Sequence, residues 1–397
     1  MRSDARTNMR VVMLIETFPP DYTGAGRQLQ SLAPKLAALG VDLLILTSHR
    51  GHGVLRETRE GVPVVRFGIG EGQSTSFPLR AAAWLLRHGR AFDVLHIHGL
   101  TRTAFAAIPV ARMMGLRVVL KFTLAGSDDL GVVKASRMAW FKMAILRRVD
   151  RFVATSTALV ETCRAALGDD SRLRLIPNGV DIDRFAPLDP DERLAVRQAI
   201  CAETGWDANA PIVVFVGSVE LRKGLDLLVA AWEQEIACHR DARLLIVGPT
   251  LSEHVSFRSR LEAELRESGL ESSVSFADYV EAPEEYLGAC DVFAFPSREE
   301  GLPNALIEAQ AVGLPCVATD IPGITSDVIE DGQTGLIVPQ EDPAALADAI
   351  VALLSDGGRR SAMGVHARER AVERFSIEQV AEQYRELYSE EKGQTTN

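Results

Sequence analysis

The sequence predicts an α/β protein built from two doubly wound domains. Three observations predict it. Short apolar runs such as Val11 to Ile15, Ile212 to Val216 and Val292 to Phe295 recur along the chain, each bounded by turn residues, as strands buried on both faces are. Stretches of helical period separate these runs, so strand and helix alternate. A chain of 397 residues is too long for one ordinary core. The expected bounds are 1–185 for the first domain, 186–210 for a linker, 211–375 for the second domain and 376–397 for a terminal helical segment.

Composition narrows the class. Hydrophobic residues make up 47% and charged residues 24%, which describes a globular chain rather than a disordered one. Cys163, Cys201, Cys238, Cys290 and Cys316 are scattered without a C-x-x-C pair, which points to a reducing cytosol with neither disulfides nor a zinc site. No apolar run approaches the roughly 18 residues of a membrane span. Arg2, Arg6 and Arg10 precede no run long enough for a signal peptide. The net charge of −11 is uneven: residues 1–185 hold 26 basic and 16 acidic groups, a balance of +10, and the remainder carries −21. Either the halves meet different partners or two solvated domains have drifted apart in composition.

In the first half, a strand over Arg10–Glu16 leads into a turn-rich loop, then a helix near Arg27 with Leu29, Leu32, Leu36 and Leu39 inside and Gly40 as its stop. Gly24 and Gly26 lie in that loop. They lack a third glycine at dinucleotide spacing, so a phosphate loop and a plain tight turn both stay open. Further strands are expected over Val41–Thr47, Val62–Phe67, Val94–His98, Arg117–Leu120, Arg151–Thr155 and Leu173–Ile176. Helices are expected over Leu79–Arg87, Ala104–Met114 and Ala158–Leu167. His96 and His98 share one strand face, with no third metal ligand apparent, and the Asp128-Asp129 pair has no matching cluster. Lys134, Arg137, Lys142, Arg147 and Arg148 lie in an acid-free stretch interleaved with Met138, Trp140 and Phe141. It reads as a basic amphipathic helix, either core-packed with basic ends or fitted to an anionic membrane surface.

The second half starts with a strand over Ile212–Val216, followed by Gly217-Ser218-Val219-Glu220-Leu221-Arg222-Lys223-Gly224 and a helix from Leu225. Strand, glycine turn and lysine at a helix start make an anion-binding arrangement. Strands over Arg243–Val247, ending at Gly248, and Val274–Ala277, ending at Asp278-Tyr279, come next, with a helix over Leu261–Ser268 between. The organising stretch is Pro296 to Pro315, P-S-R-E-E-G-L-P-N-A-L-I-E-A-Q-A-V-G-L-P. A buried strand feeds a turn at Glu300-Gly301, then a helix begun by Pro303 and stopped by Gly313, with Ala305, Leu306, Ala309 and Val312 as its apolar stripe. Strands over Pro315–Ala318 and Leu336–Val338 and three further helices complete the chain. Eight helical residues rise about 12 Å, too far for Glu300 and Glu308 to flank one bond as glycosidase carboxylates do. They are placed to touch different parts of one long ligand.

The glutamate pair within P-S-x-x-E-G-L-P-x-x-x-x-E-A-x-A-x-G-x-P closely resembles the signature of glycosyltransferase family 4. The resemblance covers nearly the whole chain and is strongest from Gly217 to Val338. It implies a GT-B fold: two Rossmann-like domains with a donor cleft between them, an N-terminal acceptor domain, a C-terminal donor domain and a last helix, near Ile377–Tyr388, crossing back to the first. It implies sugar transfer with retention from a nucleoside diphosphate sugar, without a metal or other cofactor. Glu300 would meet the donor sugar, Glu308 the ribose and Lys223 the diphosphate, so Glu300 and Lys223 are the catalytic candidates. Gly24, Gly26, Gly217, Arg222, Gly248, Tyr279, Gly301, Leu302, Asn304 and Ala305 complete the donor-binding set. The Asn178-Gly179-Val180-Asp181 run with Phe185 also fits the family. The chain departs from the pattern at Ser218, where Arg is usual, at Phe122 or Thr123, where a His is frequent, and at Asp278, where Gly is usual. The acceptor would be a glycan or lipid-linked molecule of envelope or exopolysaccharide synthesis, met in the cytoplasm or at the inner membrane face. Ser218 and the absent His keep a non-transferring nucleotide-sugar-binding protein open, and a sugar-nucleotide epimerase remains a third class.

Overall fold

In the computed structural model the described residues are 8–21, 23–70, 76–124, 130–168, 170–235, 239 and 242–390. Arg2, Arg6, the Asp128-Asp129 pair and Cys238 lie outside them. The chain divides into two compact units, one formed by Met1–Gly179 with Ile377–Asn397, the other by Val180–Ser376.

The first unit holds β1 (Arg10–Ile15), β2 (Asp42–His49), β3 (Val54–Arg59), β4 (Val62–Gly68), β5 (Val94–His98), β6 (Arg117–Lys121), β7 (Arg151–Ala154) and β8 (Leu173–Leu175). They form one sheet in the order β3-β4-β2-β1-β5-β6-β7-β8. Every pairing is parallel except β3 with β4. Parallel strands covered on both faces must be apolar throughout, and β1, β5, β6 and β7 are buried almost end to end. The edge strand β3 was not expected. Its residues are almost all exposed, so it carries no hydrophobic alternation to read. On one face, helices Gly24–Ala38 and Ile377–Ser389 pack through Leu29, Leu32, Leu36, Val380, Tyr384 and Leu387. On the other, helices Ser76–His88 and Arg102–Met113 bury Phe77, Leu85, Ala104 and Ile108.

The single basic helix expected over Lys134 to Arg148 is instead two short ones, Leu130–Ala135 and Ala139–Leu146. Ser136 marks the break. Its hydroxyl donates to the Val133 carbonyl at 2.7 Å, a local bond that competes with helix continuation.

The second unit holds β9 (Ile212–Val216), β10 (Arg243–Val247), β11 (Val274–Phe276), β12 (Val292–Phe295), β13 (Cys316–Thr319) and β14 (Gly335–Val338). Their order is β11-β10-β9-β12-β13-β14, parallel throughout. Successive strands step outward from β9 in one direction, then return to its other side at β12. That reversal makes the β9/β12 boundary the switch point, where loops from the strands' carboxyl ends diverge and leave a crevice.

The stretch 186–210, expected as a linker containing a short helix, is largely helical. Pro190–Thr204 is a helix with a full capping box, Asp189 accepting from Asp191 N and Glu192 N. Arg197 fastens it to the second unit by donating to the Ala289 carbonyl at 2.8 Å and to Asp291 at 3.0 Å.

Candidate functional site

The two loops that leave the switch point carry most of the residues expected at the donor site. The β9 loop runs from Gly217 to Gly224, and the β12 loop from Pro296 to Pro303. They are stitched together by Arg298 N donating to Arg222 O at 2.9 Å. The Arg298 side chain holds the rest. It donates to both Asp226 oxygens at 2.8 and 2.9 Å and to the Leu221 carbonyl at 2.7 Å. Its contacts with Asp226, then Glu341, hold the guanidinium charged more firmly than usual. Gly224, at φ +70°, lies so close to the Pro296 carbonyl that a β-carbon would collide with it. Glycine is therefore required where the loops cross.

This scaffold brings Lys223 and Glu300 together across 77 residues of sequence: Nζ donates to Oε1 at 2.6 Å. Arg222 Nη1 lies 3.5 Å from the other oxygen, Oε2. Glu300 is only 7% exposed, and two cations face it, one on each carboxylate oxygen. Gly301 and Leu302 are buried beside it.

Pro303 takes the cap position of helix Asn304–Ala311 and has no side-chain acceptor to offer the first turn. Backbone N–H groups at such a start favour an anion or hydroxyl ligand. Asn304, Ala305 and Glu308 are half-buried on this helix. Leu306, Ile307, Ala309, Gln310 and Ala311 form its buried face. Ala305, assigned to the apolar stripe, thus sits at the rim, and Ile307 and Gln310 join the core. Arg184, whose guanidinium is held charged mainly by Glu284, also feels the Glu308 carboxylate.

Gly217 and Gly248 approach from the neighbouring strand ends. Gly217 N donates to Val247 O at 2.9 Å, and Gly248 N to Asp278 O at 2.6 Å. Gly248 has φ +141°, and a β-carbon there would strike the Gly217 carbonyl. Asp278 has φ +50°, a left-handed backbone that Asp tolerates better than most residues. Arg258 pins its side chain with an ion pair. The chain thus keeps the conformation that glycine would have allowed. Tyr279 follows, 56% exposed.

Gly24 and Gly26 belong to the first unit, in the first turn of helix Gly24–Ala38. Thr23 caps that helix by accepting from Gly26 N at 3.1 Å, so this N–H is already engaged. A β-carbon on Gly26 would sit 2.9 Å from the Thr17 carbonyl, which accounts for the glycine by packing. Phe122 is fully buried and packs its ring 6.0 Å from that of Phe152, while Thr123 is half-buried.

Two participants were not singled out from sequence. Arg298 is the anchor of both loops. Glu220 accepts from Ser218 Oγ at 2.7 Å and from Arg222 Nη2 at 2.8 Å. The role of Arg298 has no local signature because it depends on which loops the topology sets side by side, whereas Glu220 meets partners two residues away, at a spacing that marks no motif.

The switch point of the second unit thus gathers paired cations and carboxylates. Residues 210–356 match the family described as glycosyl transferases group 1, and residues 23–179 match the glycosyl transferase 4-like domain. D-inositol 3-phosphate glycosyltransferase of Xylanimonas cellulosilytica is 33% identical over 413 residues, covering 96% of each chain. The lipopolysaccharide core biosynthesis mannosyltransferase LpsB of Rhizobium meliloti is 29% identical, covering 95% of this chain and 97% of its own. Among solved structures, Anabaena HepE in complex with UDP and glucose superposes with a TM-score of 0.80 at 20% identity, over 96% of this chain and 99% of its own. Sucrose-phosphate synthase of Thermosynechococcus elongatus gives 0.79 at 25% identity, over 96% and 98%. The chain belongs to glycosyltransferase family 4 and has the GT-B fold.

Proposed function

We propose that this glycosyltransferase moves a sugar, with retention of configuration, from a nucleoside diphosphate sugar to a glycan or lipid-linked acceptor. The second unit binds the donor and the first the acceptor. The Lys223–Glu300 contact at 2.6 Å carries the reading, because it joins the residue expected at the diphosphate to the residue expected at the sugar. As the bond from the anomeric carbon to the diphosphate breaks, negative charge grows on the departing oxygens. Lys223 and the amides opening helix Asn304–Ala311 stabilise that charge without a metal ion. Glu300 orients the sugar hydroxyls, and Glu308 holds the ribose. Glu300→Gln, assayed with a panel of nucleotide sugars, tests the assignment. Wild-type turnover in a folded variant would overturn it, and release of nucleoside diphosphate without a glycosylated product would favour epimerase chemistry.

For the first unit, the reading is attachment to an anionic leaflet that carries the acceptor, on the cytoplasmic side. No described helix is long and apolar enough to cross a membrane. The helix pair Leu130–Ala135 and Ala139–Leu146 buries Leu130, Val133, Ile145 and Leu146 in the core. A second apolar set points outward: Trp140 is 77% exposed, Met138 53%, Val132 45% and Phe141 43%. Lys134, Arg137, Arg147 and Arg148 are exposed around it. Lys142 turns inward, donating to Ser136 Oγ at 3.1 Å. Each basic group near such a leaflet contributes about 1 kcal/mol, so attachment is reversible and weakens with salt. Flotation with anionic but not neutral vesicles, lost on Trp140→Ala/Arg137→Glu, supports this reading. Failure to float with either at low salt would leave a soluble acceptor.

A further inference from the structure

The β9 loop holds two cations and the β12 loop supplies one of two carboxylates that face them. Lys223 is paired with Glu300 at 2.6 Å. Arg222 is committed three ways: Nη2 donates to Glu220 Oε1 at 2.8 Å, Nη1 donates to the Glu299 carbonyl at 2.7 Å, and Glu300 Oε2 lies 3.5 Å away. Glu220 is itself well held. The hydroxyl of Ser218, which is only 8% exposed, donates to its Oε1 at 2.7 Å. Its Oε2 faces His254 Nε2 at 3.7 Å. Two carboxylates thus cancel two cations at the place where a diphosphate is to be gripped.

Glu300 has work to do on the sugar. Glu220 has none assigned, yet it occupies one face of the Arg222 fork. A guanidinium binds an oxyanion best through two parallel N–H donors. Here one N–H of Nη2 goes to Glu220 and one of Nη1 to the Glu299 carbonyl, so Arg222 cannot turn its guanidinium fully onto an anion without giving up Glu220.

We propose that Glu220 sets the affinity of the site for nucleoside diphosphate, by holding Arg222 on the protein so that the spent nucleotide is gripped chiefly by Lys223 and leaves readily. This rests on the reading of the β9 loop as the donor diphosphate site. Product release is rate-limiting in many enzymes that bind their substrates tightly. A carboxylate that competes with the leaving diphosphate trades donor affinity for faster turnover. Ser218 is then part of the same device, because its hydroxyl proton keeps Glu220 aimed at Arg222.

Calorimetric titration of the full chain with UDP and with GDP tests this. Glu220→Gln keeps the side chain's shape and removes its charge. It should bind whichever nucleotide the wild type takes about tenfold more tightly, the scale of one charge-assisted hydrogen bond regained. Both KM for the matching nucleotide sugar and kcat should fall. The gain should vanish in Glu220→Gln/Arg222→Ala, and Glu220→Ala should reproduce it if the Gln variant unfolds. Equal or weaker nucleotide binding in the Glu220 variants overturns the proposal and makes Glu220 a support for Arg222 instead. If the wild type binds both nucleotides no better than Lys223→Ala does, the diphosphate reading itself fails, and the proposal falls with it.

Discussion

Two clusters of basic and polar groups stand at strand ends, one in each sheet, and they have met opposite fates. At the β9/β12 switch point every cation meets a carboxylate: Lys223 faces Glu300, and Arg222 faces Glu220 and Glu300. Along β5 and at the end of β6, His96, His98 and Lys121 lie beneath helix Ile377–Ser389, where their neighbours are Tyr384, Tyr388 and Asn178. His96 Nδ1 meets Tyr388 Oη at 2.6 Å, and the His96 and His98 rings lie tilted against each other with centroids 4.1 Å apart. Lys121 Nζ donates to Asn178 Oδ1 at 2.9 Å and lies over the Tyr384 ring, neither of which carries charge. Burial accordingly holds both imidazoles well below their usual range and drops the lysine to about 7. A basic group kept near countercharge and water is placed to grip an anion. The same kind of group sealed away gives up its proton and becomes packing.

The largest effect that could break this contrast is at Glu300. Glu300→Gln keeps an acceptor for Lys223 but removes the charge, so the chain should still fold. Transfer should fall by about 100-fold or more, the scale of losing one preorganised group at a reacting centre. Turnover and the thermal midpoint need to be measured together. Lost transfer with an unmoved midpoint places the residue in the chemistry, whereas a collapsed midpoint would show that its charge pair serves the fold.

Next in size is the diphosphate grip. Lys223→Ala should weaken nucleoside diphosphate binding by about 10- to 150-fold, the loss of one charge-assisted contact of roughly 1.5 to 3 kcal/mol. Arg222→Ala should cost less, because Glu220 and the Glu299 carbonyl already occupy its donors. Calorimetry ranks the two. A larger loss at Arg222 would reverse the roles drawn from their pairing.

How legible these regions were from sequence follows the same physics. Buried parallel strands announce themselves: the expected spans of β5, β9, β10 and β12 coincide with those observed. The exposed edge strand β3 leaves no such trace, and neither does the short helix Pro283–Ala289. Glu300 and Lys223 drew notice in the sequence because each sits in a dense local pattern, and the structure sets them side by side. Arg298 did not, because what it does depends on a partner far along the chain, Asp226, 72 residues away, and neither did Glu220, whose partners Ser218 and Arg222 are two residues away, at a spacing that marks no motif. The histidine pair was visible as strand alternation, but what buries it was not. Tyr388 is separated from His96 by 292 residues, and nothing in the local pattern of either residue names the other.

The smallest effect tests the sealed cluster. With a folded value of about 7 against an ordinary 10.5, Lys121 is neutral in the folded chain and protonated in the unfolded chain across that interval. The unfolded state then binds more protons, so stability climbs as pH rises from 7 towards 10.5 and is lost on the way back down. The histidines add a second slope on the acid side. Their folded values lie well below 6.5, so stability falls further as pH drops below 6.5, where only the unfolded chain takes up protons. Lys121→Met fills the same volume without an ionisable group. It should abolish the upper slope, leave the lower one, and raise stability at neutral pH, because the wild type gives up on folding a proton that the unfolded lysine keeps. Amide exchange in helix Ile377–Ser389, followed at several pH values, isolates the response of this cluster. Parallel slopes for wild type and variant above neutrality would mean that Lys121 keeps its proton on folding, and that burial alone does not separate the two clusters.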